Sequence, residues 1–93
     1  MDTRPTIQFL TRPGCHLCDD ARLFLQLVLE ERAAAGRLPA IVREVDISGD
    51  PVLERRHLER IPVLVVGGEE LPLVLTGAAI RSFLARTLDG RLA

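Results

Sequence analysis

A change of hydrophobic period at Arg12-Pro13-Gly14 constrains what this 93-residue chain can fold into. Before it, Thr6 to Thr11 (Thr-Ile-Gln-Phe-Leu-Thr) is short and rich in β-branched and aromatic residues, the pattern of a strand. After it, Leu17, Ala21, Phe24, Leu25, Val28 and Leu29 recur at helical spacing and share one face, which predicts a helix with Leu17 as its first core residue. Pro13-Gly14 supplies the turn between them. Asp19 and Asp20 fall in the first helical turn, where the dipole favours anions, and Gly36 suits the helix stop.

The rest of the chain keeps to the same alternation. Ala40 to Ile47 reads as a second strand through Ile41, Val42 and Val45. Asp50 then caps a short helix that has Pro51 at its first position, where a missing N–H costs nothing. Val63-Leu64-Val65-Val66 is too short and too β-branched for a helix, and Gly67-Gly68 turns the chain into a return strand, Glu70 to Leu75. Pro72 within that strand puts it at a sheet edge. Thr76 caps a last helix with Ile80, Phe83, Leu84 and Leu88 on its buried face and Gly90 beyond its end. The order β-α-β-α-β-β-α is that of one α/β domain over residues 1–93, with a four-stranded mixed sheet flanked by helices. The first β-α-β is expected to run parallel and the last two strands antiparallel.

Composition excludes several classes. An apolar fraction of 47% with 27% charged residues fits a chain with a real core and a soluble surface. The net charge of −1, without a basic run, gives no footprint for nucleic acid. No apolar run approaches a membrane span, and Met1 to Pro5 lacks the apolar stretch of a signal peptide, so the expected location is cytoplasmic. In a reducing compartment a close pair of cysteines points to catalysis or metal binding before a structural staple.

That pair, Cys15 and Cys18, sits at the strand-to-helix junction, the carboxyl end of a strand, where open α/β sheets bind ligands. Three residues apart on an incipient helical turn, the two sulfurs come close enough to form a disulfide. The loop closed is so small that the bond restrains the unfolded chain little, which suits a bond that opens and closes. Cys15 precedes the first turn and faces unpaired N–H groups, which favour the attacking thiolate. Arg12 adds positive charge; Asp19 and Asp20 oppose it. On exposure, Cys15 is expected to attack and Cys18, one turn in, to resolve the mixed disulfide. The competing class is a non-enzymatic thiolate carrier of metal or an iron–sulfur cluster shared between two chains. A lone C-x-x-C gives only two of the four ligands of a structural zinc site, and His16 and His57 do not fall in a zinc-finger spacing, so no metal-ligand set is assigned. Copper carriers also place C-x-x-C after a first strand, but continue β-β-α-β, unlike this chain.

The remaining candidates divide between function and packing. His16 either tunes the Cys15 thiolate or is an exposed first-turn residue. His57 reads as a surface or half-buried residue of the short helix, Asp46 as a solvated strand-end carboxylate, and Phe9, Phe24 and Phe83 as core.

The segment Thr11-Arg12-Pro13-Gly14-Cys15-His16-Leu17-Cys18 resembles the active site of the small bacterial glutaredoxin-like group, whose motif reads roughly T-[KR]-P-G-C-H-L-C. Glu44-Val45-Asp46-Ile47 resembles that family's second strand, and Arg60-Ile61-Pro62-Val63-Leu64 its cis-proline segment. The resemblance spans nearly the whole chain and implies a thioredoxin fold and thiol–disulfide oxidoreductase activity. It implies Cys15 as nucleophile, Cys18 as resolving thiol and a substrate-binding set of Arg12, Gly14, His16, Ile61, Pro62, Thr76 and Gly77. In that set the backbone of Ile61 pairs with the substrate chain and Pro62 is cis; the residues alone leave the isomer open. Further expectations are protein or low-molecular-weight disulfides as substrates, a monomeric state, no tightly bound cofactor, and glutathione or another small thiol as reductant. Two departures matter. The chain has no tryptophan, unlike thioredoxin proper, and Leu75-Thr76-Gly77-Ala78-Ala79 lacks the acidic residue with which glutaredoxins hold the γ-glutamyl end of glutathione.

Overall fold

The computed structural model describes residues 4–90; residues 1–3, part of the segment read for a signal peptide, lie outside it. Strand β1 (Thr6–Thr11) leads into helix α1 (His16–Ala34), then β2 (Ile41–Asp46), a 3-10 turn at Ile47–Gly49, α2 (Pro51–His57), β3 (Val63–Val66), β4 (Glu69–Leu71) and α3 (Gly77–Leu84), which a wider π-type turn extends through Asp89. The strands lie in the order β2-β1-β3-β4. β1 pairs parallel with β2 (Ile7 beside Val42) and antiparallel with β3 (Phe9 beside Leu64), and β3 pairs antiparallel with β4. This is the α/β arrangement expected from the hydrophobic pattern.

The caps form where the residue types require them. Asp50 accepts from the N–H groups of Val52 and Leu53, and Thr76 Oγ1 accepts from Ala79 N–H at 3.1 Å. Gly36, at φ 71°, takes the left-handed turn after α1 that a side chain would resist. Because side chains alternate across a strand, Phe9 and Leu10 enter different clusters. Ile7, Phe9, Leu64 and Val66 pack with the inner faces of α1 and α3, whereas Leu10 and Val63 pack with Ile47, Ile61 and Cys18. The second cluster lies under the cysteine pair.

Four expectations require correction. Leu17 is half-exposed rather than core. The buried stripe of α1 runs through Cys18, Ala21, Leu25 and Val28, and Leu17 lies on the flank shared with Phe24 and Glu31. That flank faces α3, but α3 packs against the far half of α1, where Arg81 meets Glu31 and Asp89 meets Arg32, so the first turn is left uncovered. His57 is buried. It lies four residues after Leu53, on the inward face of α2, so the helix period carries the imidazole in with the leucine. The return strand stops at Leu71, short of Leu75. Pro72 has no N–H for the ladder and Leu73 turns left-handed at φ 51°. The chain instead donates Leu73 N–H to the Arg60 carbonyl (2.8 Å) and Val74 N–H to the Pro62 carbonyl (3.0 Å). Phe24 is only half-buried, while Phe9 and Phe83 are core.

Candidate active site

Cys15 is the N-cap of α1, in extended conformation (φ −95°, ψ 106°), and its Sγ accepts the Cys18 N–H at 3.0 Å. A cap position turns a side chain toward the orphan donors of the first turn, and here that side chain is a sulfur. The Cys15 carbonyl takes the next helical bond, from Asp19 N–H. Cys15 and Cys18 are joined as a disulfide with Cα atoms 5.2 Å apart. Cys18 is fully buried among Leu10, Ile47, Ile61 and Val63; Cys15 is half-buried against the same cluster and opens outward. The two sulfurs therefore differ sharply in access.

Ile61 joins the same cluster, and the Ile61–Pro62 peptide bond is cis. The Ile61 N–H donates to the His57 carbonyl at 3.0 Å, a carbonyl that also accepts from Arg60 N–H. His57 thus anchors the segment that precedes the proline, a part that neither its residue type nor its spacing to the cysteines could have signalled. Of the strand-like pairing expected at Ile61, the N–H is already engaged and, among the described residues, the carbonyl is the group left to offer.

Arg12 and Gly14 line a polar cleft of about 160 Å³ beside the turn, together with Asp19, Arg22, Glu44 and Asp46. Asp19 does not simply oppose the dithiol with an unscreened charge. Arg22 donates to Asp19 at 3.0 Å and to both oxygens of Glu44 at 2.7 and 2.8 Å, while Thr11 Oγ1 donates to Glu44 at 3.2 Å. Those hydrogen bonds, Glu44 first, raise the Arg22 pKa, and the Arg22 bond holds the Glu44 carboxyl below the usual range. Asp46 is exposed, as read from the sequence. Its carboxyl is held low chiefly by hydrogen bonds from Ser48, with Arg12 adding an attraction. His16 is exposed at the first helical position. Thr76 and Gly77 follow Val74, whose N–H bonds the Pro62 carbonyl, and Thr76 already satisfies one N–H of α3. A larger apolar groove, about 390 Å³, runs between α1 and edge strand β2, lined by Phe9, Leu25, Leu29 and Val42 and by neither cysteine. Among the described residues, no group of three or more His, Cys, Asp or Glu could hold a metal ion, and no helix is long and apolar enough to cross a membrane.

A C-x-x-C pair capping the first helix after β1, sharing an apolar cluster with the residue before a cis-proline ahead of β3 in a mixed β2-β1-β3-β4 sheet, defines a thioredoxin-like protein with a redox-competent dithiol. The chain belongs to the glutaredoxin-like domain (DUF836) family, whose model matches residues 6–88. Among solved structures it is similar to one described as "Structure of a malarial protein", with a TM-score of 0.66 at 9% identity, covering 92% of this chain and 99% of that one. Identity that low speaks for the fold alone. No curated protein matches the sequence.

Proposed function

We propose that this protein is a thiol–disulfide oxidoreductase that exchanges electrons with disulfides through Cys15 and Cys18. The observation that carries the reading is the asymmetry of the pair: an outward sulfur that accepts a helix N-terminal N–H, bridged to a buried one. In the reduced protein the Cys15 thiolate attacks one sulfur of the substrate disulfide, forming a mixed disulfide and releasing the other half as a thiol. The Cys18 thiolate then attacks Cys15 Sγ, which closes the protein disulfide and releases the second substrate thiol with a proton. Two electrons pass from the dithiol to the substrate. Two equivalents of a low-molecular-weight thiol such as glutathione return the protein to its reduced state. No tightly bound cofactor is required, and a monomer in the reducing cytoplasm suits this cycle. Arg12, Gly14, His16, Ile61, Pro62, Thr76 and Gly77 form the substrate-facing set, with Ile61 offering its carbonyl to the incoming chain.

The test is reduction of a small mixed disulfide by wild type, Cys15→Ser and Cys18→Ser. Loss of about three orders of magnitude or more is expected for Cys15→Ser. Cys18→Ser should trap a mixed disulfide visible by mass spectrometry. Full activity in Cys15→Ser would refute the assignment, and activity with glutathione that survives only in Cys18→Ser would replace it with a monothiol route.

A further inference from the structure

His57 is a buried titratable group that dithiol exchange does not use. It is 2% exposed, and its Nδ1 has no hydrogen-bond partner among the described residues. A buried polar nitrogen left without a partner lowers stability, so its place in the fold calls for a reason. Leu53, four residues earlier on the same face of α2, packs against the cluster that holds Cys15, Cys18 and Ile61. The imidazole therefore stands on the face of α2 turned toward the dithiol cluster. What its burial fixes is backbone. The His57 carbonyl accepts from Arg60 N–H at 2.8 Å and from Ile61 N–H at 3.0 Å. The Arg60 carbonyl accepts from Leu73 N–H, and the Pro62 carbonyl from Val74 N–H. Among the described residues, every backbone donor and acceptor from Arg60 to Pro62 is thus engaged except the Ile61 carbonyl. The residue that holds the N–H of Ile61, and with it the direction of that carbonyl, is His57.

We propose that His57 is a positioning residue for peptide substrates: its neutral, buried imidazole fixes the Ile61 carbonyl for pairing with a peptide backbone, and a proton on the ring loosens that hold. An imidazolium buried without an acceptor is costly, so the charged ring moves outward and carries the end of α2 with it. The charges that face it are Glu70 of β4, Arg60 of the connecting segment and Arg56 of α2. The Ile47–Gly49 turn packed against α2 brings none. Glu70 favours the proton, but Arg60 and Arg56 already engage its carboxylate at 2.8 and 3.2 Å. Burial prevails and holds the ring's pKa below the ordinary 6.5, so the hold is intact at neutral pH and is released in acid. This inference rests on the dithiol-exchange reading, with Ile61 as the pairing residue.

The experiment uses pre-reduced protein in single turnover and two substrates with the same leaving group, 2-thiopyridine. One is a short capped peptide of alanines around a cysteine; the other is 2-mercaptoethanol, which has no backbone to pair. Each is linked to the thiopyridine through its own sulfur. The Cys15 thiolate attacks that sulfur, the bond to the thiopyridine sulfur breaks, and 2-thiopyridone leaves with the electron pair and a proton. Its absorbance reports the rate. Dividing the peptide rate by the mercaptoethanol rate cancels the titration of Cys15, the leaving group and any loss of folded protein. In wild type this ratio is expected to fall about threefold or more between about pH 7.5 and about pH 5, the effect of roughly one hydrogen bond. In His57→Phe and His57→Gln, neither of which titrates there, it is expected to stay within about 1.5-fold. Independently of any variant, the midpoint of the wild-type ratio is expected to coincide with the titration of the His57 ring protons followed by nuclear magnetic resonance. Exposed His16 gives a separate signal. A flat wild-type ratio, the same fall in a folded variant, or a midpoint that follows His16 would overturn the inference and leave dithiol exchange standing. Failure of the reduced wild type to reduce either substrate would overturn both.

Discussion

The imidazole of His57 is buried, and its Nδ1 has no hydrogen-bond partner among the described residues. Burial holds its pKa below the ordinary value of 6.5; Glu70 favours the charged form, and Arg60 and Arg56 oppose it. A base whose folded pKa is depressed binds fewer protons in the native state than in the unfolded state. Stability is therefore full above pH 6.5 and is lost as pH falls below it toward the folded pKa. The carboxylates with lowered pKa, Asp46 and Asp89 among them, act in a separate window: their stabilisation is present above their unfolded values, near pH 4, and is lost only below that. Urea midpoints should thus fall between pH 7.5 and 5.5 in wild type. His57→Phe, which removes the unpartnered nitrogen at similar volume, should be at least as stable at pH 7.5 and show a flat profile over the same interval. A wild-type profile already flat there would place the titration elsewhere.

Between elements, two arginine–carboxylate pairs join α1 to the α3 segment, and burial separates their worth. Arg32 donates to both oxygens of Asp89 at 2.8 and 3.0 Å, with the side chains 11% and 19% exposed. Arg81 and Glu31 are equally close but about half exposed. Water screens the second pair, whereas removing Arg32 leaves a mostly covered carboxylate with only the more exposed Arg37, 4.0 Å away, as its cation. Arg32→Ala is expected to lower unfolding free energy by about 2 kcal/mol, and Arg81→Ala by far less, in parallel denaturant titrations. Equal losses would contradict the ordering. The elements themselves were legible where local chemistry and period agreed: the extent of β1, the Asp50-Pro51 start of α2 and the Thr76 cap all follow from the residues. They were less legible where tertiary pairing took over. Pro72 was visible as an obstacle to the ladder, yet nothing local showed that Leu73 would turn left-handed and bond to Arg60 instead. The apolar period of α1 likewise includes Leu17, because period reports which face is apolar and not how far along the helix a partner extends.

For the molecule as a whole, the site was legible in its covalent parts and hidden in its supporting ones. Cys15, Cys18 and the Ile61-Pro62 segment could be named because their spacing and order carry the family resemblance. The Arg22–Glu44 network and the His57 carbonyl under Ile61 depend on which strands become neighbours, which no short stretch of sequence encodes. The core is built without help from the disulfide. The bridge closes the smallest of loops, so reduction should leave the far-ultraviolet circular dichroism unchanged and shift unfolding free energy by no more than about 2 kcal/mol. Collapse of the fold on reduction would make the bond a structural staple and remove the basis for a redox cycle.

The sulfur of Cys15 also begins a helix. It stands where serine is among the favoured residues, and its contact with the Cys18 N–H is the bond a serine hydroxyl would make. Replacing sulfur by oxygen at residue 15 therefore preserves the scaffold's punctuation while erasing its reactivity. An alanine would erase both, leaving α1 to fray at the very turn that carries the cysteine pair.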